Sequence, residues 1–69
     1  MSSVYKVIEL VGTSTESWEK AAAEAVEQAS KSLRDLRIAE VLKLDMKVEN
    51  GKVAAYRARI NVSFKYKGT

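Results

Sequence analysis

The second half of the chain, RIAEVLKLDMKVENGKVAAYRARINVSFKYK at residues 37–67, decides the fold. Apolar and polar side chains alternate from Ile38 to Val48 and again from Ala54 to Tyr66. Alternation with a period of two is typical of β-strands that bury one face. The sequence therefore predicts two long strands joined at Glu49-Asn50-Gly51.

The register of this hairpin depends on the length of its loop. A two-residue Asn-Gly loop sets Leu44 opposite Arg57, whereas a three-residue loop sets Leu44 opposite Tyr56 and keeps the apolar side chains on one face. Because a one-residue slip moves every side chain to the other face, the hydrophobic pattern should decide the register. We predict the three-residue loop, with Gly51 left-handed in a G1 bulge.

The first half predicts a strand and a helix. Val4–Val11 is apolar and rich in β-branched residues, which favours a central or doubly covered strand that Gly12 ends. A helix over residues 15–33 follows, with Thr13 or Ser14 as N-cap and Glu16 closing a capping box. Its apolar stripe consists of Trp18, Ala22, Ala25, Val26, Ala29 and Leu33.

The predicted architecture is α+β, in β-α-β-β order, as a single domain over residues 1–69. One helix is too short to cover a face of three such strands, so Tyr56, Ile60, Phe64 and Tyr66 should stay partly exposed. Exposed apolar surface of this kind, in a chain of 69 residues, predicts self-association.

Composition excludes several classes of site. The chain has no cysteine, histidine or proline, which rules out disulfides, thiolate or imidazole metal sites and Cys or His nucleophiles. No catalytic triad or carboxylate pair is recognisable, and no enzymatic activity is expected. No segment resembles a signal peptide or a membrane span, so a cytoplasmic location without membrane partners is expected.

Charge is unevenly distributed. The net charge is +3, and residues 51–69 carry five basic and no acidic side chains. A basic strand face can attract phosphate or nucleic acid, or it can be a solvated face offset by acids on a neighbouring strand. We favour the second interpretation, because no exposed aromatics accompany the stripe, and nucleic acid is not an expected partner.

The predicted hairpin carries three charged side chains that could form specific contacts, Glu40, Asp45 and Arg57. Glu40 falls on the apolar phase of its strand, where a carboxylate needs a partner or a raised pKa. It could be a metal ligand or an acid/base group, but we favour an ion pair at a subunit contact. Asp45 and Arg57 are expected to be diagonal neighbours that form a salt bridge.

The chain combines VYKVIELVGTS at residues 4–14, a single helix, Ala39-Glu40-Val41, and a strand from Tyr56 that ends in Val62-Ser63-Phe64. Over essentially its whole length, this combination resembles the dodecin family. The resemblance implies a hollow homododecamer in which each helix packs on a three-stranded antiparallel sheet.

The resemblance also implies a function. Dodecins are known mainly for storing or sequestering the flavins riboflavin and FMN between subunits. Ile38 stands where flavin-binding members have a stacking tryptophan, Arg57 where they have a glutamine, Asp45 where an arginine meets the FMN phosphate, and Lys65 where another arginine stands. Flavin binding is therefore expected to be weakened, because Ile38 offers no π face and Asp45 would repel a phosphate.

The chain is most similar to the subgroup that lacks the tryptophan and is described as calcium-binding. That resemblance makes Glu16 and Asp45 candidate contacts for calcium or magnesium at symmetry axes. The expected function is thus non-enzymatic sequestration of a small ligand. Flavin is the family's ligand, a cation-binding cage is the first alternative, and a structural assembly or phosphate binder using the basic last strand is the second.

Overall fold

A computed structural model describes residues 3–66 of the chain. Its elements are β1 (Tyr5–Ser14), α1 (Trp18–Ser30), β2 (Leu36–Glu49) and β3 (Lys52–Lys65). The three strands form one antiparallel sheet in the order β1-β3-β2, and α1 packs on one face of it. The predicted α+β class and β-α-β-β order are confirmed.

Strand β1 differs from the prediction in position and in length. It lies at the edge of the sheet, not at its centre, and it continues through Gly12 to Ser14. Gly12 is needed for packing: a Cβ atom there would overlap the carbonyl oxygen of Ala21 and lie 2.9 Å from Ala25 Cβ. Gly12 therefore does not end the strand. It allows the helix to approach the strand closely.

Helix α1 begins later than predicted. Ser17 is its N-cap and accepts a hydrogen bond from the Lys20 backbone N–H at 3.1 Å. The Ser14 hydroxyl instead accepts from the Glu16 N–H at 3.0 Å in the turn before the helix, so the predicted capping box of Thr13 or Ser14 with Glu16 is wrong. Pairing of Ser14 with Tyr56 keeps residues 13 and 14 in β1, and this long-range pairing outweighs the local capping signal.

The buried side of the helix is a stripe of alanines. Ala21, Ala25 and Ala29 are buried, while the predicted stripe residues Trp18, Ala22 and Val26 are half-buried. Small side chains allow the helix axis to lie close to the sheet. No helix within residues 3–66 is long and apolar enough to span a membrane.

The hairpin loop contains two residues. Glu49 pairs with Lys52, and Asn50 (φ 53°) and Gly51 (φ 73°) are both left-handed, as in a type I′ turn. The left-handed Gly51 is confirmed, but the three-residue loop is wrong. A register shift after Lys47 leaves Ala54 as an extra residue on β3 and sets Leu44 opposite Ala58, not Arg57. The bulge thus reconciles the short turn with the hydrophobic pattern.

A second bulge in β2 changes which face its first half presents. Val41 pairs with Ile60 and Lys43 with Arg59, so Leu42 is the extra residue. Before this bulge, Ile38 and Glu40 point away from the helix, opposite Ser63 and Asn61. The prediction that Glu40 lies on the apolar phase is therefore wrong, and the side chain is exposed.

The core lies between α1 and the middle of β3. Ala58, Ile60 and Val62 are buried against Ala21 and Ala25. The prediction that Ile60 stays partly exposed is wrong, whereas Tyr56 and Phe64 are half-buried and Tyr66 is exposed as expected. Among residues 3–66, β2 carries more of the exposed large apolar side chains than any other element: Ile38, Val41, Leu42, Leu44, Met46 and Val48.

Candidate functional site

The sheet surface that faces away from α1, here called the outer face, carries most of the candidate residues. Arg57, Arg59, Asn61, Ser63 and Lys65 alternate along β3 with residues that point toward the helix. Their neighbours across the ladder come from β1 on one side and β2 on the other. No element of the described chain covers this face.

Two ion pairs link the central strand to its neighbours on this face. Arg57 holds Asp45 of β2 through two hydrogen bonds, Nε to Oδ1 at 2.7 Å and Nη2 to Oδ2 at 2.8 Å. Arg59 Nη1 donates to Glu9 Oε2 of β1 at 2.7 Å. The predicted Asp45–Arg57 bridge is confirmed, but the two residues are direct cross-strand partners, not diagonal ones. Both arginines of the basic stripe are thus offset by acids on adjacent strands.

The Asp45 pair also changes the ionisation of its members. The hydrogen bonds from Arg57 lower the pKa of Asp45, with a partial opposing effect from desolvation and a smaller favourable effect of the Arg57 charge. The same hydrogen bonds raise the pKa of Arg57. Asp45 is therefore ionised with both oxygens engaged, and a cation or a ligand polar group has to compete with Arg57 for them.

Trp18 contacts the backbone of Asp45 from the helix side of the sheet. Its Nε1 donates to the Asp45 carbonyl oxygen at 3.0 Å, and its ring meets that of Tyr56 edge-on with centroids 5.0 Å apart. This arrangement fits a packing role, in which the start of α1 is attached to the middle of the hairpin.

A crevice of about 190 Å³ lies at the other end of the outer face. It is lined by Val7, Ile38, Glu40, Asn61 and Ser63. The Ser63 hydroxyl donates to the Ile38 carbonyl oxygen at 3.4 Å. Ile38 is 68% exposed in the isolated protomer, so its side chain forms an open wall of this crevice.

The candidate flavin contacts fall into two groups. With a three-residue loop, Ile38 would lie among the apolar side chains, on the face opposite Arg57. This is wrong, because the Leu42 bulge turns Ile38 to the outer face, where Arg57 also lies. They nevertheless remain apart: Ile38 lies opposite Ser63, six residues along β3 from Arg57, roughly 20 Å. Lys65 is close to the Ile38 end and Asp45 to the Arg57 end.

Glu16, the other candidate for a cation, lies outside both groups. It forms an exposed ion pair with Lys20 at 2.7 Å. With Glu24 and Glu27 it lines a groove beside the first turns of α1. Within residues 3–66, no group of three acidic side chains is placed to hold a metal ion.

Some residues of these sites are not identifiable from sequence. Val7 and Glu9 join the outer face only through the pairing of β1 with β3, which has no local signal. The alternation predicts that Asn61 and Ser63 lie on the polar face of the last strand. Their position beside Glu40 depends on the Leu42 bulge, which the sequence does not predict.

Fold and site together define a class. A single helix on a three-stranded sheet, an exposed apolar strand and open crevices describe a small α+β protein with uncovered apolar surface. The family model described as Dodecin matches residues 4–67, and the chain belongs to the dodecin family.

Individual relatives agree with this assignment. The chain is 52% identical over 63 residues to Calcium dodecin of Mycobacterium tuberculosis, covering 91% of this chain and 89% of the relative. It is 38% identical to Dodecin of Thermus thermophilus over 69 residues, the whole of both chains.

Solved structures show the same fold. The crystal structure of M. tuberculosis calcium dodecin, described as calcium chelating with a novel calcium-binding site, matches with a TM-score of 0.85 at 49% identity over 97% of this chain and 96% of that one. Dodecin from Streptomyces davaonensis matches with a TM-score of 0.90 at 26% identity over 99% and 100%.

Proposed function

We propose that this protein sequesters a divalent cation between copies of itself, without catalysis, and that the cation is calcium. The observation that carries the proposal is the 52% identity with Calcium dodecin over 63 residues. The outer face supports it indirectly, because Ile38 supplies no aromatic ring and the donors of Arg57 are held by Asp45.

The calcium shell is proposed to draw on more than one copy of the chain. Calcium takes 6–8 oxygen ligands at about 2.3–2.6 Å. One protomer provides no group of three acids within its described residues, which favours a shell that is completed where copies meet. The exposed apolar side chains of β2 supply the surface for such association, which in this family is expected to give a homododecamer.

Glu16 and Asp45 remain the candidate ligands, and they differ in availability. Glu16 is paired only with an exposed lysine, and pairs of that kind contribute about 0–1 kcal/mol. Asp45 has to exchange a two-pronged guanidinium contact for the cation. We therefore place Glu16 ahead of Asp45. Magnesium is the second candidate cation, since it accepts fewer protein ligands and keeps more water.

Flavin is the second candidate ligand, favoured by the crevice that Val7 and Ile38 flank with apolar surface. The missing tryptophan removes a stacking contact of roughly 0.5–1.5 kcal/mol. Asp45 disfavours a phosphate at the Arg57 end, and Lys65 is the basic residue at the Ile38 end. Riboflavin should therefore bind better than FMN.

One titration series separates the two ligands. Chelator-treated protein is titrated with Ca²⁺ and Mg²⁺ by calorimetry, and with riboflavin and FMN by fluorescence quenching. We expect stoichiometric Ca²⁺ binding, and flavin quenching only after Ile38→Trp. Tight riboflavin binding by the unaltered protein, with no heat on adding Ca²⁺, would reverse the order of the two candidates.

A further inference from the structure

We propose that the free edge of strand β1 binds β1 of a second copy of the chain, with the two strands antiparallel about a two-fold axis at Leu10. This pairing joins the two sheets into one of six strands and sets both helices on the same side. The inference specifies one contact of the self-association in the proposed function and does not depend on which ligand binds. It follows from the backbone of β1, the groove beside it and the charges along both.

The edge of β1 carries backbone groups that no strand among residues 3–66 pairs with. β1 lies at one side of the sheet, next to β3. The Tyr66 N–H donates to the Val4 carbonyl oxygen at 2.9 Å, and hydrogen-bonded pairs alternate along an antiparallel ladder. Even-numbered residues of β1 therefore direct their N–H and C=O groups to β3. The groups of odd-numbered residues, from Tyr5 to Thr13, point to the open edge, where another strand can pair with them.

Of the two edge strands, β1 is better suited to pairing over its whole length. Its ladder with β3 has no register shift from Tyr5 to Ser14, whereas the ladder of β2 is interrupted at three points. Such irregularities bend and twist an edge, which opposes the addition of a strand. Val7 and Val11 are 54% and 48% exposed, so a strand added to β1 also covers apolar side chains.

The groove between β1 and α1 has the width that a second helix needs. Its volume is about 440 Å³, and it lies between Ile8 and Leu10 of the strand and Ala25 and Ala29 of the helix. Helix α1 packs on both β1 and β3, so its axis lies about half a strand spacing inside β1. Strand pairing at about 4.8 Å then sets the two helix axes about 10 Å apart, within the usual range for packed helices. The second copy's own helix therefore closes the groove.

Charge and overlap select the position of the axis. An axis at Glu9 would place two carboxylates directly opposite each other, which is unfavourable. An axis at Leu10 sets Glu9 opposite Val11 of the second copy. It also pairs residues 6–14 of each strand, a longer overlap than an axis at Ile8 allows.

The same axis keeps the acidic side chains of the two helices apart. Ala25 lies next to Gly12, so α1 runs back along β1 after the turn. At about 1.5 Å per helix residue and 3.3 Å per strand residue, the axis passes close to Ala29. Glu24, on the rim of the groove, then faces the segment that follows the helix of the second copy. That segment carries Arg34, so opposite charges meet there and like charges do not.

Cysteine substitutions test the register, because the chain has no cysteine of its own. In the proposed pair, the Cα atoms of Leu10 in the two copies are about 4.5 Å apart, a separation that a disulfide spans. Leu10→Cys should therefore form a dimer on mild oxidation, seen by non-reducing electrophoresis. Val7→Cys, on the same strand, is the control and should stay monomeric on the gel, because Val7 lies opposite Thr13 of the second copy.

A proline at the open edge tests the backbone pairing. Val11→Pro removes an N–H that points away from β3, so the protomer keeps its own ladder and circular dichroism should be unchanged. Because the two-fold axis removes this hydrogen bond twice, the concentration at which the assembly dissociates should rise at least about tenfold. Val11→Ala keeps the N–H and is the control. Native mass spectrometry on chelator-treated protein measures the mass at a series of concentrations.

The other outcomes reject the pairing. If Val11→Pro dissociates the assembly but Leu10→Cys does not cross-link, β1 pairs with a different strand, such as β2 of a neighbour. If Val7→Cys cross-links and Leu10→Cys does not, the axis lies elsewhere. If neither cysteine cross-links and Val11→Pro keeps the parent's mass, the edge is not an interface. If the expected cross-link and dissociation occur but the protein binds no Ca²⁺, the contact stands and the proposed function fails.

Discussion

Strands β2 and β3 have the same length and a similar alternation of apolar and polar side chains, yet they differ in how far those side chains are buried. Both contain 14 residues, but β3 buries Ala58, Ile60 and Val62, while no residue of β2 is buried. Val41 and Ile60 are direct partners across the ladder; Ile60 is 0% exposed and Val41 is 51% exposed. Burial in this protomer is therefore decided by position under the helix, not by the apolar pattern of the strand.

The comparison shows which part of the molecule leaves its apolar side chains exposed. The covered part, formed by α1, β1 and β3, has a small core with an alanine-lined helix contact. The open part, formed by β2 and the hairpin end, has an apolar side that residues 3–66 leave largely exposed. The proposed self-association would cover this side. Four substitutions test the division, from the largest expected effect on protomer stability to the smallest.

Ile60→Ala should have the largest effect, because it removes a fully buried side chain from the covered part. Large-to-small core changes of this type cost about 2–5 kcal/mol. Urea denaturation followed by circular dichroism measures the loss. Val62→Ala, at the neighbouring buried position, should also lower stability, by a smaller amount because fewer atoms are lost; a neutral Ile60→Ala would show that the core lies elsewhere.

Gly12→Ala should destabilise by about 1–3 kcal/mol, because the added methyl group forces the helix away from the strand. Gly51→Ala is the matched control in the open part. It meets no atom within 4 Å but has φ +73°, so it should cost only roughly 1 kcal/mol of backbone strain. Thermal melts of both variants give the comparison, and an order reversed between them would contradict the close approach at Gly12.

Asp45→Asn should have a smaller effect that depends on pH. Arg57 lowers the pKa of folded Asp45, so the ionised pair stabilises the fold above the unfolded pKa of about 4 and loses this contribution as pH falls through the lower folded pKa. The stability difference between parent and variant should be constant near neutral pH and shrink in acid. A difference that grows below pH 4 would show that the pair is not the source.

Val41→Asp should change the protomer's own folding least, by about 0.5 kcal/mol, because surface substitutions rarely do more. Its effect should appear in association, since a charge on the open face opposes burial by a second copy. Native mass spectrometry should show smaller species, while circular dichroism stays the same. Val41→Thr, of similar shape without charge, is the control, and an unchanged mass for Val41→Asp would place the interface elsewhere.

The candidate sites were predictable to different degrees. The Asp45–Arg57 bridge followed from the alternation, because both residues belong to the polar phase near the turn. The crevice did not, because Glu40 was assigned to the wrong face and Val7 comes from the far strand. Errors in register increase with distance from the turn, since each bulge reverses the assignment of every residue beyond it.

By itself, the sequence determined the number, type and order of the elements, the polar and apolar phases of the hairpin, the left-handed Gly51 and the family resemblance. These are local properties, encoded in residues a few positions apart. Only the tertiary structure decided that β1 is an edge strand and that helix α1 starts at Trp18. It also decided that a bulge at Ala54 sets Leu44 opposite Ala58 and that a bulge at Leu42 turns Glu40 and Ile38 outward. Those outcomes depend on which strands pair with each other over the length of the chain. Pairing between residues far apart in sequence cannot be predicted from a short stretch of residues.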